Sequence, residues 1–223
     1  MTEDLNTPGR WLFPEYAKLA GMYAREVYGL TDEQVDLRRP DKSWGRWSIR
    51  EQVSHMAFVN YRWFSYHWGD ILLGVSRSID KSLGETASAD RMLDPFRFHE
   101  IGDLLTTLRD GFDLAWEILA KETLGSMREK VQWRRMPAHE RWPSGDSPRE
   151  WTENVILKTH PSGFWRDKKD PDLFHYNLEF TFRHVLWEAY AHLKTVQTHE
   201  ILQGLDPKVV IPYVGYIPTL SWE

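Results

Sequence analysis

The chain has no cysteine in its 223 residues, which excludes a disulfide framework, a thiolate metal site and a thiol nucleophile together. Any metal must therefore be held by nitrogen and oxygen. It also has no run of about 18 apolar residues, the least a helix needs to cross a bilayer. The opening MTEDLNTPGR shows neither the basic start nor the apolar stretch of a secretory signal. A soluble, cytoplasmic protein with no membrane partner is expected. Positive charge is scarce as well, with 28 Lys and Arg against 33 Asp and Glu and a net charge of −5. Neutralising nucleic-acid phosphates takes clustered Lys and Arg, so nucleic acid is not expected as a partner.

What the chain has in excess is tryptophan, 12 residues, several of them in polar surroundings. Large amphipathic rings in such places fit the lining of a pocket or an interface. Between them runs a helical pattern. Tyr16, Leu19, Ala20, Tyr23 and Val27 recur at spacings of three and four, which predicts a helix from about Phe13 to Tyr28. Ser48 followed three residues later by Glu51 is a helix-start box, so a second helix is expected from Ile49 to about Leu73. A crossover over 74–95 precedes a third helix, His99 to Glu122, whose apolar stripe includes Leu104, Leu108, Phe112, Ala115 and Leu119. A fourth runs from Asn177 to Leu205 and stops at Gly204.

Between the third and fourth helices, Pro137, Pro143, Pro148, Pro161 and Pro171 break any long element. The stretch from Gly125 to Asn177 reads as an irregular insertion with a short helix at Arg149 to Leu157. The apolar, proline-interrupted tail DPKVVIPYVGYIPTLSWE is expected to lie extended against the helices. No linker divides the chain, so residues 1–223 are read as one domain. The fold class expected is all-α, an antiparallel four-helix bundle with a long crossover and an insertion, and very little strand.

Chemistry is concentrated on two of these helices. His184, Glu188 and His192 follow one another at intervals of four and share a stripe of the fourth helix. Two ligands so spaced can chelate one ion, with Cβ atoms about 5–6 Å apart. His55, two turns into the second helix, is the natural third ligand. Taken alone, a Glu–His pair at this spacing is more often a surface pair, and a lone His more often a hydrogen-bonded core residue.

The segments WSIREQVSHMAFV and RHVLWEAYAHLKTVQ resemble the second-helix and last-helix signatures of the DinB-like (damage-inducible) metal-binding four-helix bundles. The resemblance places the family's metal ligands on His55, Glu188 and His192, with His184 at an upstream position. Glu188 stands where many members carry His. The resulting His/Glu/His set is similar to that of the mycothiol-dependent maleylpyruvate isomerases. Two His and one carboxylate leave coordination positions open, as in catalytic sites. Zinc is the metal expected first, with iron(II) and nickel as alternatives.

The resemblance thus implies a metal-dependent enzyme that activates a low-molecular-weight thiol for transfer to a small electrophile. A metal-dependent hydrolase of a small molecule and a non-catalytic, stress-linked metal-binding bundle are the alternatives, and a homodimer is the family's expectation. Among other residues, His67 is expected near the surface, and His199, near a helix C-terminus, is expected to complement the helix dipole as a cationic group. Arg50, Arg62 and Arg183 are candidate anion contacts, more often surface residues. His139, His160 and His175 lie in the insertion with no spacing that joins them to the site. Trp133, Trp142, Trp151 and Trp165 suggest that the insertion lids the pocket.

Overall fold

The computed structural model describes residues 3–72, 80–84, 91–143, 145–160 and 162–223. Four long helices organise it: α1 (Tyr16–Val27), α2 (Ile49–Asn60), α3 (Ile101–Leu119) and α4 (Leu178–Leu202). Helix α3 packs on α1 and α2, and α4 packs on the same two from the other side. One cluster of buried side chains, from Phe13 to Ile217, fills the space between them.

Local signals explain the helix limits. Ser48 accepts from the amide of Glu51, and the Glu51 carboxylate accepts from the amide of Ser48 at 2.8 Å, so α2 starts at the box expected for it. Asn177 caps α4 through its side-chain oxygen, and Gly204, with φ of 76°, turns the chain away just beyond its end. Two tyrosines tie α1 to α4 by donating to main-chain carbonyls, Tyr16 to Phe182 at 2.8 Å and Tyr23 to Ala189 at 2.7 Å.

Helix α2 is buried on all sides except at Glu51, so its polar residues need partners inside the protein. Ser54 accepts from the amide of Leu93 at 3.1 Å, and Asn60 donates to the carbonyl of Met56. After Asn60 the helix widens into a π-helical stretch, Tyr61–His67, rather than running as a regular helix towards Leu73. Most of the expected crossover, like Leu73 itself, lies outside the described residues; of it, Lys81–Leu83 form a single 3-10 turn.

The insertion corrects the all-α expectation. Its strands β1 (Val131–Arg135), β2 (Phe164–Arg166) and β3 (Leu173–Asn177) form an antiparallel sheet in the order β1-β3-β2. The chain is thus mostly helical with a small sheet. Each strand is only three to five residues long, and Val131 pairs with Asn177 across the whole insertion. A short, non-local pairing of this kind leaves little period-2 signal. Phe174 and Tyr176 point into the core, while Trp133 and Trp165 lie on the outer face beside His175. Strand β3 runs straight into α4, because Asn177 closes one and caps the other.

The expected short helix is present and longer, Pro148 to Thr159, with a π-helical centre. Arg149 binds it to the sheet, donating to Glu153 at 2.6 Å, Asp172 at 2.9 Å and the carbonyl of Met136 at 3.0 Å. The tail packs back as expected, burying Tyr216 and Ile217. Among the described residues, no helix is long and apolar enough to cross a membrane.

Candidate functional site

A cavity of about 530 Å³ opens between α2, α4, the 142–155 part of the insertion and the end of the tail. His55, Glu188 and His192 all line it. The imidazoles of His55 and His192 face each other across the α2–α4 contact with ring centres 4.6 Å apart. Their inner nitrogens are both engaged. Nδ1 of His55 lies 2.8 Å from the carbonyl of Arg91, which only accepts, so this nitrogen carries the proton. Nδ1 of His192 lies 2.5 Å from Oε1 of Gln52. The amide nitrogen of Gln52 in turn donates to the carbonyl of Trp47, which fixes the orientation of the amide and makes Nδ1 of His192 the donor.

Both outer nitrogens are therefore bare lone pairs, and neither Nε2 has a hydrogen-bond partner among the described residues. An imidazole whose far N–H is held by a carbonyl or an amide oxygen is oriented as metal-ligating histidines are. Burial keeps both rings neutral. It is the largest influence on His55, pushed well below the ordinary range with help from His192 and Arg91, and on His192, pushed down to about 3. Trp47 backs the pair, its ring centre 4.8 Å from His55 and stacked over His192 at 6.0 Å.

Arg91 shapes the other wall. It has the positive φ of 63° that side chains other than glycine rarely adopt, and this turn delivers its carbonyl to His55. Its guanidinium lies 3.8 Å over the ring of Trp142 and 5.2 Å from that of Trp47.

Glu188 has a different setting. Its side chain is 16% exposed, and Oε1 lies 3.4 Å from Nε2 of His184, one turn back on α4. Burial pushes its carboxyl up to about 7, against the pull of Arg91 and Arg134. With the carboxylate turned to His184, no group of three His, Asp or Glu side chains among the described residues is drawn together closely enough to hold a metal ion. The donors nonetheless suit one. Two bare imidazole nitrogens and a buried carboxylate on one cavity wall are the nitrogen and oxygen set that a divalent cation takes in a chain without thiols.

Compared with protein-family models, with curated proteins and with solved structures, the chain matches none.

The remaining candidates separate clearly. Arg50 is buried in ion pairs with Asp36 and Asp32, Arg62 donates to the carbonyl of Gly84, and Arg183 pairs with Glu179. None of the three lines the cavity, whereas Arg46 and Arg91 do. His199 is fully buried, with Nε2 donating to the carbonyl of Trp47 at 3.0 Å, and burial lowers its pKa, which disfavours the cationic form expected for it. His67 is half-buried against Trp63. His175 pairs with Asp167 on the outer sheet face, and His139 lies outside the cavity lining. Trp142 and Trp151 wall the cavity, while Trp133 and Trp165 do not.

Four contributors are not legible in the sequence. Gln52 shares a helix face with His55, but its role depends on a residue 140 positions away. Trp222 lines the cavity and donates to Thr195 at 3.1 Å from the tail. His160 and Tyr216, from the insertion and the tail, join the side of the site behind Glu188. The one sequence signal for Tyr216 is its place beside Gly215 in an otherwise apolar tail.

Proposed function

We propose that the chain is a metal-dependent enzyme acting on a small molecule, with His55, His192 and Glu188 as ligands of one divalent cation, zinc favoured. The observation that carries this reading is the pair of imidazoles lining one cavity, with both Nδ1–H groups engaged and both Nε2 atoms without a hydrogen-bond partner among the described residues. Residues held only for packing have no need of that arrangement. Glu188 completes the set by turning from His184 towards the two rings, a motion about its own side-chain torsions.

The resemblance to the DinB-like bundles supports the same three residues and the reading of α1 to α4 as that family's antiparallel bundle. It also supports the reaction class: activation of a low-molecular-weight thiol and its transfer to a small electrophile. The cation supplies the positive charge that favours thiolate over thiol near neutral pH. The protein's residues do the rest. Trp47, Trp142 and Trp151 offer flat apolar walls to the electrophile, Arg46 and Arg91 offer positive charge to an acidic group, and the cavity's size suits a small ligand.

Metal analysis of the purified protein beside His55→Ala, Glu188→Ala and His192→Ala tests the site. Stoichiometric zinc in the wild type and its loss from each variant is the expected result, and retention by all three would overturn it. A screen of zinc-loaded protein with small thiols and electrophiles then tests the reaction; turnover of esters or amides without thiol would replace transferase by hydrolase.

A further inference from the structure

Behind Glu188 a line of buried polar groups runs away from the cavity. Nδ1 of His184 lies 2.6 Å from the hydroxyl of Tyr216, and the same hydroxyl lies 2.8 Å from Nε2 of His160. All three side chains are within a few per cent of full burial. The order is His160, Tyr216, His184, Glu188.

One hydroxyl between two imidazole nitrogens has a single proton, so it donates to one and accepts from the other. If Tyr216 donated to His160, then His184 would carry its proton on Nδ1 and turn a lone pair towards the carboxylate. His160 would at the same time carry its proton on Nδ1, an atom that is buried and has no partner among the described residues. A buried unsatisfied N–H costs roughly 1–3 kcal/mol, and a lone pair facing the carboxylate in its ionised form is repulsive. The opposite direction removes both penalties. His160 donates from Nε2 and leaves only a bare lone pair at Nδ1, Tyr216 donates to His184, and His184 presents N–H to Glu188.

We propose that Tyr216 is a positioning residue: by donating to Nδ1 of His184 it fixes the tautomer that aims an N–H at Glu188 and so sets the carboxylate's place at the cavity wall. This deepens the metal-site reading and rests on it for the role of Glu188, while the tautomer assignment stands on hydrogen bonding alone. The direction is fixed from the His160 end, where a bare lone pair at Nδ1 leaves no buried donor unpaired among the described residues and makes Nε2 the donor to Tyr216.

The tail is shaped to deliver this hydroxyl. Gly215 has φ of 63°, and a Cβ there would stand 2.2 Å from the ring of Trp187. Trp187 is itself stacked on His160 at 4.4 Å. Only glycine lets the tail pass close enough to seat Tyr216 between the two histidines.

Long-range ¹H–¹⁵N spectra of the imidazoles in the metal-free protein read the tautomers directly, with signals identified through His184→Gln and His160→Gln. Protonation at Nε2 in both rings is expected, and a Nδ1 proton on His184 overturns the proposal. Zinc affinity by chelator competition supplies the second readout. Tyr216→Phe should weaken zinc by roughly 10-fold to 100-fold, the range for losing an outer-shell partner. The side-chain amide that His184→Gln introduces offers its own N–H in place of Nε2–H and needs no proton from Tyr216, so in that background Tyr216→Phe should change affinity little. An equal loss in both backgrounds would mean that Tyr216 only holds the tail in place and would overturn the proposal. If the wild type binds no zinc, the metal reading fails and the spectra still decide the tautomer.

Discussion

Glu188 and Glu200 stand twelve residues apart on α4, and burial pushes both carboxyls up, to about 7 and about 8. Their surroundings otherwise differ throughout. Glu200 lies in a closed cluster: Glu26 is the next influence after burial that raises it, and the ammonium of Lys208 donates to its Oε1 at 3.1 Å. Glu26 accepts from the amides of Lys208 at 2.7 Å and Val209 at 3.1 Å and from Gln197 at 2.9 Å. Glu188 instead borders a cavity where two imidazoles present bare nitrogens. A displaced carboxyl pKa marks burial in both places, and only the open, nitrogen-lined face marks one of them as a candidate site.

The sharpest way to separate the two regions is to break the closed one. Glu26→Ala leaves the main-chain amides of Lys208 and Val209 without their acceptor and Gln197 with only the carbonyl of Val209. The loss expected is about 3–5 kcal/mol of stability, read by urea denaturation, because the tail is tied to α1 and α4 through this carboxylate. Zinc affinity per folded molecule should stay within about threefold. A fall in affinity as large as that of the ligand variants would mean that the two regions are one coupled unit.

Glu200→Gln tests the same cluster by pH. A carboxyl held at about 8 in the folded protein, against an ordinary value near 4.5 in the unfolded chain, binds its proton more tightly when folded. Its contribution is complete below about pH 4.5 and is lost as pH rises through about 8. Glutamine cannot ionise, so the variant should lack this part of the fall between pH 5 and pH 8. The difference in slope should accumulate to a few kcal/mol, at about 1.4 kcal/mol for each tenfold difference in proton affinity between the folded and unfolded chain. Parallel stability curves for variant and wild type would remove the contrast with Glu188.

These residues also show why some of the molecule could be read from its sequence. The box at Ser48 and Glu51 and the stop at Gly204 are local signals, and they lie where expected. His55, Glu188 and His192 could be assigned to one place because helix periodicity and resemblance both sort residues by face, and all three line one cavity. The sheet could not be foreseen because its pairings join positions such as 131 and 177. Tyr216 and Arg91 are hidden for the same reason. One acts through a tail folded back on α4, and the other through a backbone turn that no periodicity encodes.

Gln52→Ala removes the acceptor for Nδ1–H of His192, leaving the ring free to rotate and to change tautomer. Zinc affinity should fall roughly 10-fold to 100-fold, measured by chelator competition, with stability changed by about 1 kcal/mol. An unchanged affinity would show that the orientation of His192 comes from Trp47 stacking alone.

The smallest effect expected is at the cavity wall, with Trp142→Ala. The ring contributes a cation–π contact to Arg91 of about 0.5–1 kcal/mol at a partly open position, and it lies at the cavity wall, outside the buried core cluster. Stability should fall by no more than about 1 kcal/mol. The binding of a small acidic aromatic probe, followed by fluorescence of the remaining tryptophans, should change more, because the cavity wall loses an aromatic face and the guanidinium loses the ring 3.8 Å beneath it. His55 feels this residue only through the carbonyl of Arg91, which the backbone turn holds in place, so zinc affinity should be the same in variant and wild type. If zinc weakens together with the probe, the wall and the ligands share one support, and the division between them at Arg91 is wrong.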